Sequence, residues 1–124
     1  MRSALLVLAA AALLALAGCG GPKTFKDPHG KIEVDKGENF VVELRVNGSI
    51  GYDWLYEPSP SGVRLVKLVK TTTDYPDDDR AGESGVKRFE FKPLVKGGVQ
   101  TITFQRYFRD KKDERRDLNV EIGD

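Results

Sequence analysis

The side chains that most often carry catalysis and metal binding are scarce in this chain of 124 residues, which contains one cysteine, Cys19, and one histidine, His29. A structural zinc site needs four nitrogen or sulfur ligands, and a catalytic site needs three. A disulfide needs two cysteines, and a Ser-His-Asp or Cys-His mechanism needs a histidine beside the nucleophile. Since His29 lies between Pro28 and Gly30, we interpret it as a solvated linker residue. We therefore expect no internal disulfide, no metal site and no cofactor.

Carboxylates are the remaining candidates for chemistry. The run Asp77-Asp78-Asp79 suggests a calcium site, but its spacing does not fit an EF-hand loop, so a solvated loop tip is the favoured interpretation. Paired carboxylates can hydrolyse glycosides, yet no two acidic residues fall on an identifiable concave site. An enzyme is therefore the disfavoured hypothesis.

The first eighteen residues have the pattern of a secretory signal peptide. A short basic start, Met1-Arg2-Ser3, precedes fourteen apolar residues at 4–17, too few to span a bilayer, which takes about 20. The segment ends in Leu16-Ala17-Gly18-Cys19, which resembles the lipobox of bacterial lipoproteins. The resemblance implies cleavage before Cys19 and lipidation of that thiol; the alternative is an ordinary signal peptide with an incidental cysteine.

The residue that follows Cys19 predicts where in the cell envelope the protein resides. Because Gly20 and not aspartate follows Cys19, we expect the protein on the periplasmic side of the outer membrane. Residues 19–30 would then comprise the lipidated cysteine that the resemblance implies and a tether, which we expect to be flexible because it is rich in glycine and proline. Residues 31–124 then form the folded domain.

The charge of the chain after residue 18 is balanced. Without Arg2, it has 19 basic and 19 acidic residues. A nucleic-acid binder would need a basic surface to neutralise phosphates, so we expect no nucleic-acid partner. The 106 remaining residues (124 − 18) suit one domain, which we expect to be a monomer.

Composition and periodicity predict an all-β domain. After residue 18 the chain has a single alanine, Ala81, and 32 of its 106 residues are Val, Ile, Thr, Phe, Tyr or Trp, which favour strands. Seven short strands bounded by turn residues indicate an immunoglobulin-like antiparallel β-sandwich, with Trp54 as a core aromatic. The predicted strands are 31–34, 39–46, 52–57, 63–70, 85–92, 99–106 and 117–122.

Alternate loops of such a sandwich meet at one end. Here these are the first loop (residues 47–51), the second loop (71–85) and the third loop (106–116). The second loop has no periodicity, and the third is a charged segment of alternating sign, typical of a solvated hairpin end.

The three loops carry three short motifs, which are Asn47-Gly48-Ser49-Ile50-Gly51-Tyr52-Asp53-Trp54, Gly82-Glu83-Ser84-Gly85 and Arg106-Tyr107-Phe108. Together these motifs resemble those of the chagasin-type inhibitors of papain-like cysteine proteases. The first is similar to the family motif Asn-Pro-Thr-Thr-Gly-Tyr-x-Trp. Gly82-Glu83-Ser84-Gly85 is similar to Gly-x-Gly-Gly, and Arg106-Tyr107-Phe108 lies where the family has Arg-Pro-Trp or Arg-Pro-Phe. The motifs occur in family order within residues 31–122.

The resemblance implies that the three loops form a wedge in the active-site cleft of a papain-like cysteine protease. In the family the first loop covers the catalytic cysteine, and the other two loops flank it. Four residues depart from the motifs: Gly48, Ile50, Ser84 and Tyr107. These departures leave open a second hypothesis, a non-inhibitory envelope lipoprotein that acts as a binding or scaffolding module. The implied protease-binding residues are Asn47, Gly48, Ser49, Ile50, Gly51, Tyr52, Gly82, Ser84, Gly85, Arg106, Tyr107 and Phe108.

Overall fold

A computed structural model describes residues 21–62, 64–75 and 84–124. The signal peptide, Cys19 and Gly82 lie outside these ranges. All regular elements in the described ranges are strands, and these ranges contain no apolar helix of membrane-spanning length. The strands are β1 (Lys23–Lys26), β2 (Gly30–Val34), β3 (Phe40–Val46), β4 (Tyr52–Glu57), β5 (Val66–Asp74), β6 (Gly85–Pro93), β7 (Val99–Phe108) and β8 (Lys111–Ile122).

The strands form two four-stranded sheets, which confirms the predicted all-β sandwich. The first sheet has the order β1-β3-β6-β5 and the second has the order β2-β8-β7-β4. Most neighbours are antiparallel, but β1 runs parallel to β3, and β2 runs parallel to β8. The segment between β1 and β2 therefore crosses from one sheet to the other along one side of the sandwich.

Three parts of the chain are more regular than the sequence predicts. Residues 23–26, which fall in the predicted flexible tether, form strand β1. They are ordered because their backbone pairs with β3 and because Phe25 packs edge-on against Phe40, with ring centroids 6.3 Å apart. Strand β5 continues to Asp74. Strands β7 and β8 extend into the predicted third loop and leave a turn of two residues, Arg109 and Asp110.

The core lies between the sheets and follows the period-two alternation of the strands. Its centre is aromatic: Phe104 lies 4.9 Å from Phe89 and 6.2 Å from Phe91 between ring centroids, both with edge-to-face geometry. Trp54 is 3% exposed and belongs to the same cluster, as predicted. Burial of each such side chain contributes about 1.5–3 kcal/mol, and this core fixes the strands that carry the loops.

Strand register brings the described parts of the three predicted loops to one end of the sandwich. In the first sheet, Val46 at the end of β3 pairs with Gly85 at the start of β6, and Asp74 at the end of β5 pairs with Val86. In the second sheet, Tyr52 at the start of β4 pairs with Phe108 at the end of β7. We call this end the loop end.

Candidate functional site

The first loop is a tight connection between the two sheets. The backbones of Asn47 and Tyr52 exchange two hydrogen bonds of 3.0 and 2.9 Å, which close residues 48–51 into a short loop. The Asn47 side chain accepts a hydrogen bond from the Ser49 N–H at 3.1 Å, an arrangement in which asparagine favours turns. Gly51 has a φ of +82°, a conformation that glycine adopts without strain. Side chains and backbone together therefore define one loop shape.

Neighbouring segments hold the first loop from both sides. The Gly48 N–H donates to the Tyr75 hydroxyl at 3.0 Å, and the Arg109 N–H donates to the Gly51 carbonyl at 3.0 Å. A Cβ at position 51 would lie 3.1 Å from the Arg109 nitrogen. The loop therefore rests between the end of β5 and the β7–β8 turn, with Ser49 and Ile50 exposed at its tip.

The connection between β5 and β6 is described at its two ends. Ser84 is exposed and Gly85 is buried. A Cβ at position 85 would lie 2.6 Å from the Tyr75 ring, so glycine allows Tyr75 to pack beside the first loop. Sequence reasoning missed Tyr75, which lies in a stretch without periodicity or motif and is identified only by its contacts.

The β7–β8 hairpin takes the place of the predicted third loop. Arg109 and Asp110 have φ values of +51° and +66°, the left-handed conformation at both positions that a tight hairpin turn requires. The Phe108 ring lies 4.8 Å from the Tyr52 ring. The hairpin therefore supports the base of the first loop with an aromatic pair.

Arg106 is engaged within the protein. Its guanidinium lies 5.0 Å from the Tyr52 ring and 5.7 Å from the Trp54 ring. The same group donates to the Asp113 carboxylate across the hairpin at 2.6 Å. Such cation–π and ionic contacts order a side chain. These contacts within the hairpin favour a role for Arg106 in supporting the loop over a role in pairing with an acidic group of a target.

A second arginine closes the core beneath this layer. Arg116 is 8% exposed and lies 4.9 Å from the Trp54 ring. It binds Glu114 at 2.9 Å and Asp27 in the β1–β2 segment. The Arg116 hydrogen bond lowers the pKa of Asp27, since it stabilises the ionised carboxylate. Sequence reasoning did not identify Arg116, because the alternating charges around it have the pattern of a solvated segment.

The loop end forms a shallow hollow of about 300 Å³ that joins residues from all three predicted segments. Its lining residues are Arg45, Val46, Asn47, Ile50, Tyr52, Ser84 and Arg106. No group of three histidine, cysteine or acidic side chains that could bind a metal ion occurs in residues 21–62, 64–75 and 84–124. The hollow therefore presents to a partner a concave surface, backbone groups and the aromatic ring of Tyr52.

The described members of the predicted site have three degrees of exposure. Those exposed to solvent are Gly48, Ser49, Ile50 and Ser84. Those partly buried are Gly51, Tyr52, Arg106, Tyr107 and Phe108. Those buried are Asn47 and Gly85. The structure thus brings all of them to one end but makes only some of them available to a partner, while the others shape the loops.

The comparisons with known proteins agree with this architecture. Residues 33–122 match the Chagasin family peptidase inhibitor I42. The chain belongs to this family, which confirms the predicted resemblance and the prediction of a peptidase inhibitor that is not an enzyme. No curated protein sequence matches the chain.

Solved structures show the same fold at low sequence identity. A cysteine protease inhibitor from Entamoeba histolytica is similar with a TM-score of 0.63 and 20% identity, over 82% of this chain and 96% of that one. PbICP-C, solved in complex with falcipain-2, is similar with a TM-score of 0.51 and 17% identity, over 82% of this chain and 98% of that one.

Proposed function

We propose that the protein inhibits papain-like cysteine proteases by inserting its loop end into the active-site cleft. The observation that carries this proposal is the convergence at one end of the described residues of the three family motifs, with the first loop held from both sides by Tyr75 and Arg109. Ser49 and Ile50 form the exposed tip and face the catalytic cysteine. No covalent or proton-transfer step by the inhibitor is required.

The fixed shape of the first loop favours tight binding. A loop that is ordered before docking loses less conformational entropy when it binds. Gly48 stands where the family motif has proline, and its N–H donates to the Tyr75 hydroxyl at 3.0 Å. Proline lacks this N–H, so the hydrogen bond replaces the stiffness that the ring would supply. A cleft that receives three loops buries on the order of 1,600 Å² in total, the size of a standard protease–inhibitor interface.

The main test titrates residues 20–124 against papain and several related cysteine proteases. We expect inhibition at micromolar or lower inhibitor, lost when the target cysteine is blocked beforehand by a bulky reagent. Absence of inhibition at micromolar inhibitor across all these enzymes would falsify the proposal. Co-purification of a non-protease envelope partner, with papain unaffected, would favour the scaffolding alternative instead.

A matched pair of substitutions tests the role of the tip. Ile50 and Leu55 are both exposed, at 39% and 45%, but Ile50 lies on the first loop and Leu55 on β4. We expect Ile50→Glu to weaken inhibition at least tenfold, since a buried unpaired charge costs more than 1.4 kcal/mol. Leu55→Glu should change neither inhibition nor stability. Equal inhibition by the two variants would remove the first loop from the mechanism.

Lipidation of Cys19 on the periplasmic side of the outer membrane is also part of the proposal. The signal-peptide pattern at residues 1–18 and the lipobox-like Leu16-Ala17-Gly18-Cys19 support it. Metabolic labelling with a fatty acid should label the wild-type chain and not the Cys19→Ala variant. Label on that variant would refute the anchor, and fractionation of the envelope would test the membrane assignment.

A further inference from the structure

The end of the sandwich opposite the loops carries an apolar turn that is exposed to solvent. The turn connects β6 to β7, and its side chains Leu94, Val95 and Val99 are 49%, 40% and 58% exposed. They are three of the seven large apolar side chains that are exposed among the described residues. Clustered apolar groups at a surface mark a contact with another apolar phase or partner. We call residues 94–99 the apolar turn.

Lysines and carboxylates lie on different sides of the apolar turn. Lys36 and Lys96 line a shallow hollow with Leu94 and Val95, and exposed Lys92 precedes Leu94 in the chain. Glu121 pairs with Val99, Asp124 lies against Gly97, and both acidic residues line a separate hollow with Glu33 and Asp35 toward β2 and β8. On the lysine side, the apolar side chains suit the interface of an anionic bilayer, where apolar groups enter the acyl boundary and ammonium groups meet the phosphates.

The chain enters the domain at the same end. Lys23 at the start of β1 pairs with Phe40, and Phe40 pairs with Phe91 near the end of β6. Lys23 is therefore about 10 Å, or two interstrand spacings, from β6. Cys19 precedes Lys23 by four residues, so the two Cα atoms are at most about 14 Å apart even in a fully extended chain. A lipid on Cys19 would hold this end against the membrane.

We propose that the apolar turn and its lysines form a membrane-contact surface that docks on anionic phospholipid and points the loop end away from the bilayer. The proposal rests on the anchor at Cys19. The twelve residues of β8 run from the loop end to the opposite end, a length of about 40 Å. The membrane contact thus holds the inhibitory loops at this distance from the bilayer surface, where proteases can reach them. It also limits tilting of the domain, which would bring the loops to the lipid.

The test supplies the anchor chemically. Every core residue lies between Phe25 and Ile122, so a chain that begins at Cys19 retains the whole core. The single thiol is coupled to a maleimide lipid in vesicles of phosphatidylcholine and phosphatidylglycerol. Tryptophan is introduced by Val99→Trp, or by Leu55→Trp on β4 as the matched exposed control, and acyl-brominated lipids quench whichever indole reaches the bilayer. Trp54 is present in both variants and its contribution is subtracted.

We expect quenching of the indole at position 99 to be at least threefold stronger than at position 55. It should weaken when phosphatidylglycerol is omitted or when Lys36→Gln and Lys96→Gln are combined, since each lysine at an anionic surface changes affinity about fivefold. Equal quenching at the two positions would overturn the proposal. Self-association of the uncoupled domain that Leu94→Glu abolishes would also overturn it, in favour of a second copy as the occupant.

The outcome separates this proposal from the others. Chemical coupling makes the measurement independent of whether cells acylate Cys19. Leu94 lies at the end opposite the loops, so Leu94→Glu should leave the inhibition of papain unchanged. Failure of inhibition with strong quenching at position 99 would refute the inhibitory function alone, and inhibition with equal quenching at both positions would refute the membrane contact alone.

Discussion

The first loop and the β7–β8 hairpin lie side by side at the loop end, but they are stabilised in different ways. The hairpin has a long ladder of backbone pairs up to Phe108 and Lys111, with one register shift between Gln105 and Tyr107, and a turn of only two residues. The first loop has one closing pair, between Asn47 and Tyr52, and depends on hydrogen bonds from other segments for the rest of its shape. The hairpin is therefore the support, and the first loop is the supported part.

This difference indicates which motif residues are available to contact a partner and which residues hold the loops in place. A family motif collects residues that touch a partner together with residues that hold those residues in place. Arg106 and Phe108 of the third motif are engaged with Asp113 and Tyr52, whereas Ser49 and Ile50 are exposed. Substitutions in the hairpin should therefore change stability first, and substitutions at the tip should change affinity first.

The largest effect is expected at the junction between the two segments. Gly51→Val imposes strain at a φ of +82° and places a Cβ against the Arg109 backbone. We expect the free energy of unfolding to fall by about 2–4 kcal/mol, because backbone strain and overpacking each cost about 1–3 kcal/mol. Inhibition by the folded fraction should weaken more than tenfold. Denaturant unfolding and titration against papain measure the two effects.

Gly37→Val provides the matched control for this substitution. Gly37 has a φ of +73° but nothing within 4 Å of the added Cβ. It should show the strain alone, about 1–2 kcal/mol, with inhibition unchanged. If both glycine variants inhibit equally well, contact with the hairpin does not determine the shape of the first loop.

A smaller effect is expected inside the hairpin. Arg106→Met removes the guanidinium from between the Tyr52 and Trp54 rings and from Asp113. Stability should fall by about 1–2 kcal/mol, and Asp113→Asn should cost little more in the Arg106→Met background, as a double-mutant cycle would show. A large loss of inhibition with unchanged stability would instead assign Arg106 to the contact surface.

The hydrogen bond from Gly48 to Tyr75 is expected to contribute less. Tyr75→Phe removes the hydroxyl that accepts the Gly48 N–H while it keeps the ring beside Gly85. One neutral hydrogen bond contributes about 0.5–1.5 kcal/mol to stability, so the free energy of unfolding should fall by at most that amount and inhibition should weaken by about threefold to tenfold. An inhibition constant identical to that of the wild type would show that the loop keeps its shape without this bond.

The smallest effect lies outside the loops and depends on pH. Arg116 lowers the pKa of Asp27, so the contact stabilises the protein above the usual aspartate pKa of about 3.9. That stabilisation is lost as pH falls through the native pKa. Asp27 is 61% exposed, so we expect Asp27→Asn to cost at most about 1 kcal/mol at neutral pH, with the difference from wild type vanishing in acid.

The Arg116→Met background is the control for the pH effect. Without the guanidinium, Asp27→Asn should have a smaller pH-dependent effect on unfolding, since only the weaker attraction of His29 and Arg45 then lowers the pKa of Asp27. Urea midpoints between pH 2 and 7, measured for the four chains, separate this pair from the other carboxylates. A pH dependence that persists undiminished in the Arg116→Met background would assign it to another group.

Much of the fold follows from the sequence because alternation of apolar residues marks strands that bury one face. Strand β3, with Val42 and Leu44 buried on one face, is predictable for this reason. Strand β1 is not, since its four residues contain one apolar side chain, Phe25, and β3 supplies its pairing. The first half of β8 also lacks an apolar alternation, and the ladder with β7 determines its conformation.

The candidate site shows the same division. Local motifs identify the segments that form the site. The turn of the first loop, for example, depends on Asn47 and Gly51, which lie within that loop. Tyr75 and Arg116 act through contacts with segments 27 and 89 positions away in the sequence. No local pattern encodes such contacts, so they become visible only when the strands are assembled.

The parallel pairing of β1 with β3 has a mechanical consequence. A pull on the chain before Lys23, resisted at the first loop, acts along the axis of β1 and away from the loop end. The four residue pairs between β1 and β3 then carry the force in shear, and their hydrogen bonds must break together. An antiparallel strand entering from the loop end would open one pair at a time, so this topology lets the domain resist a pull on the chain before Lys23 while its loops are held.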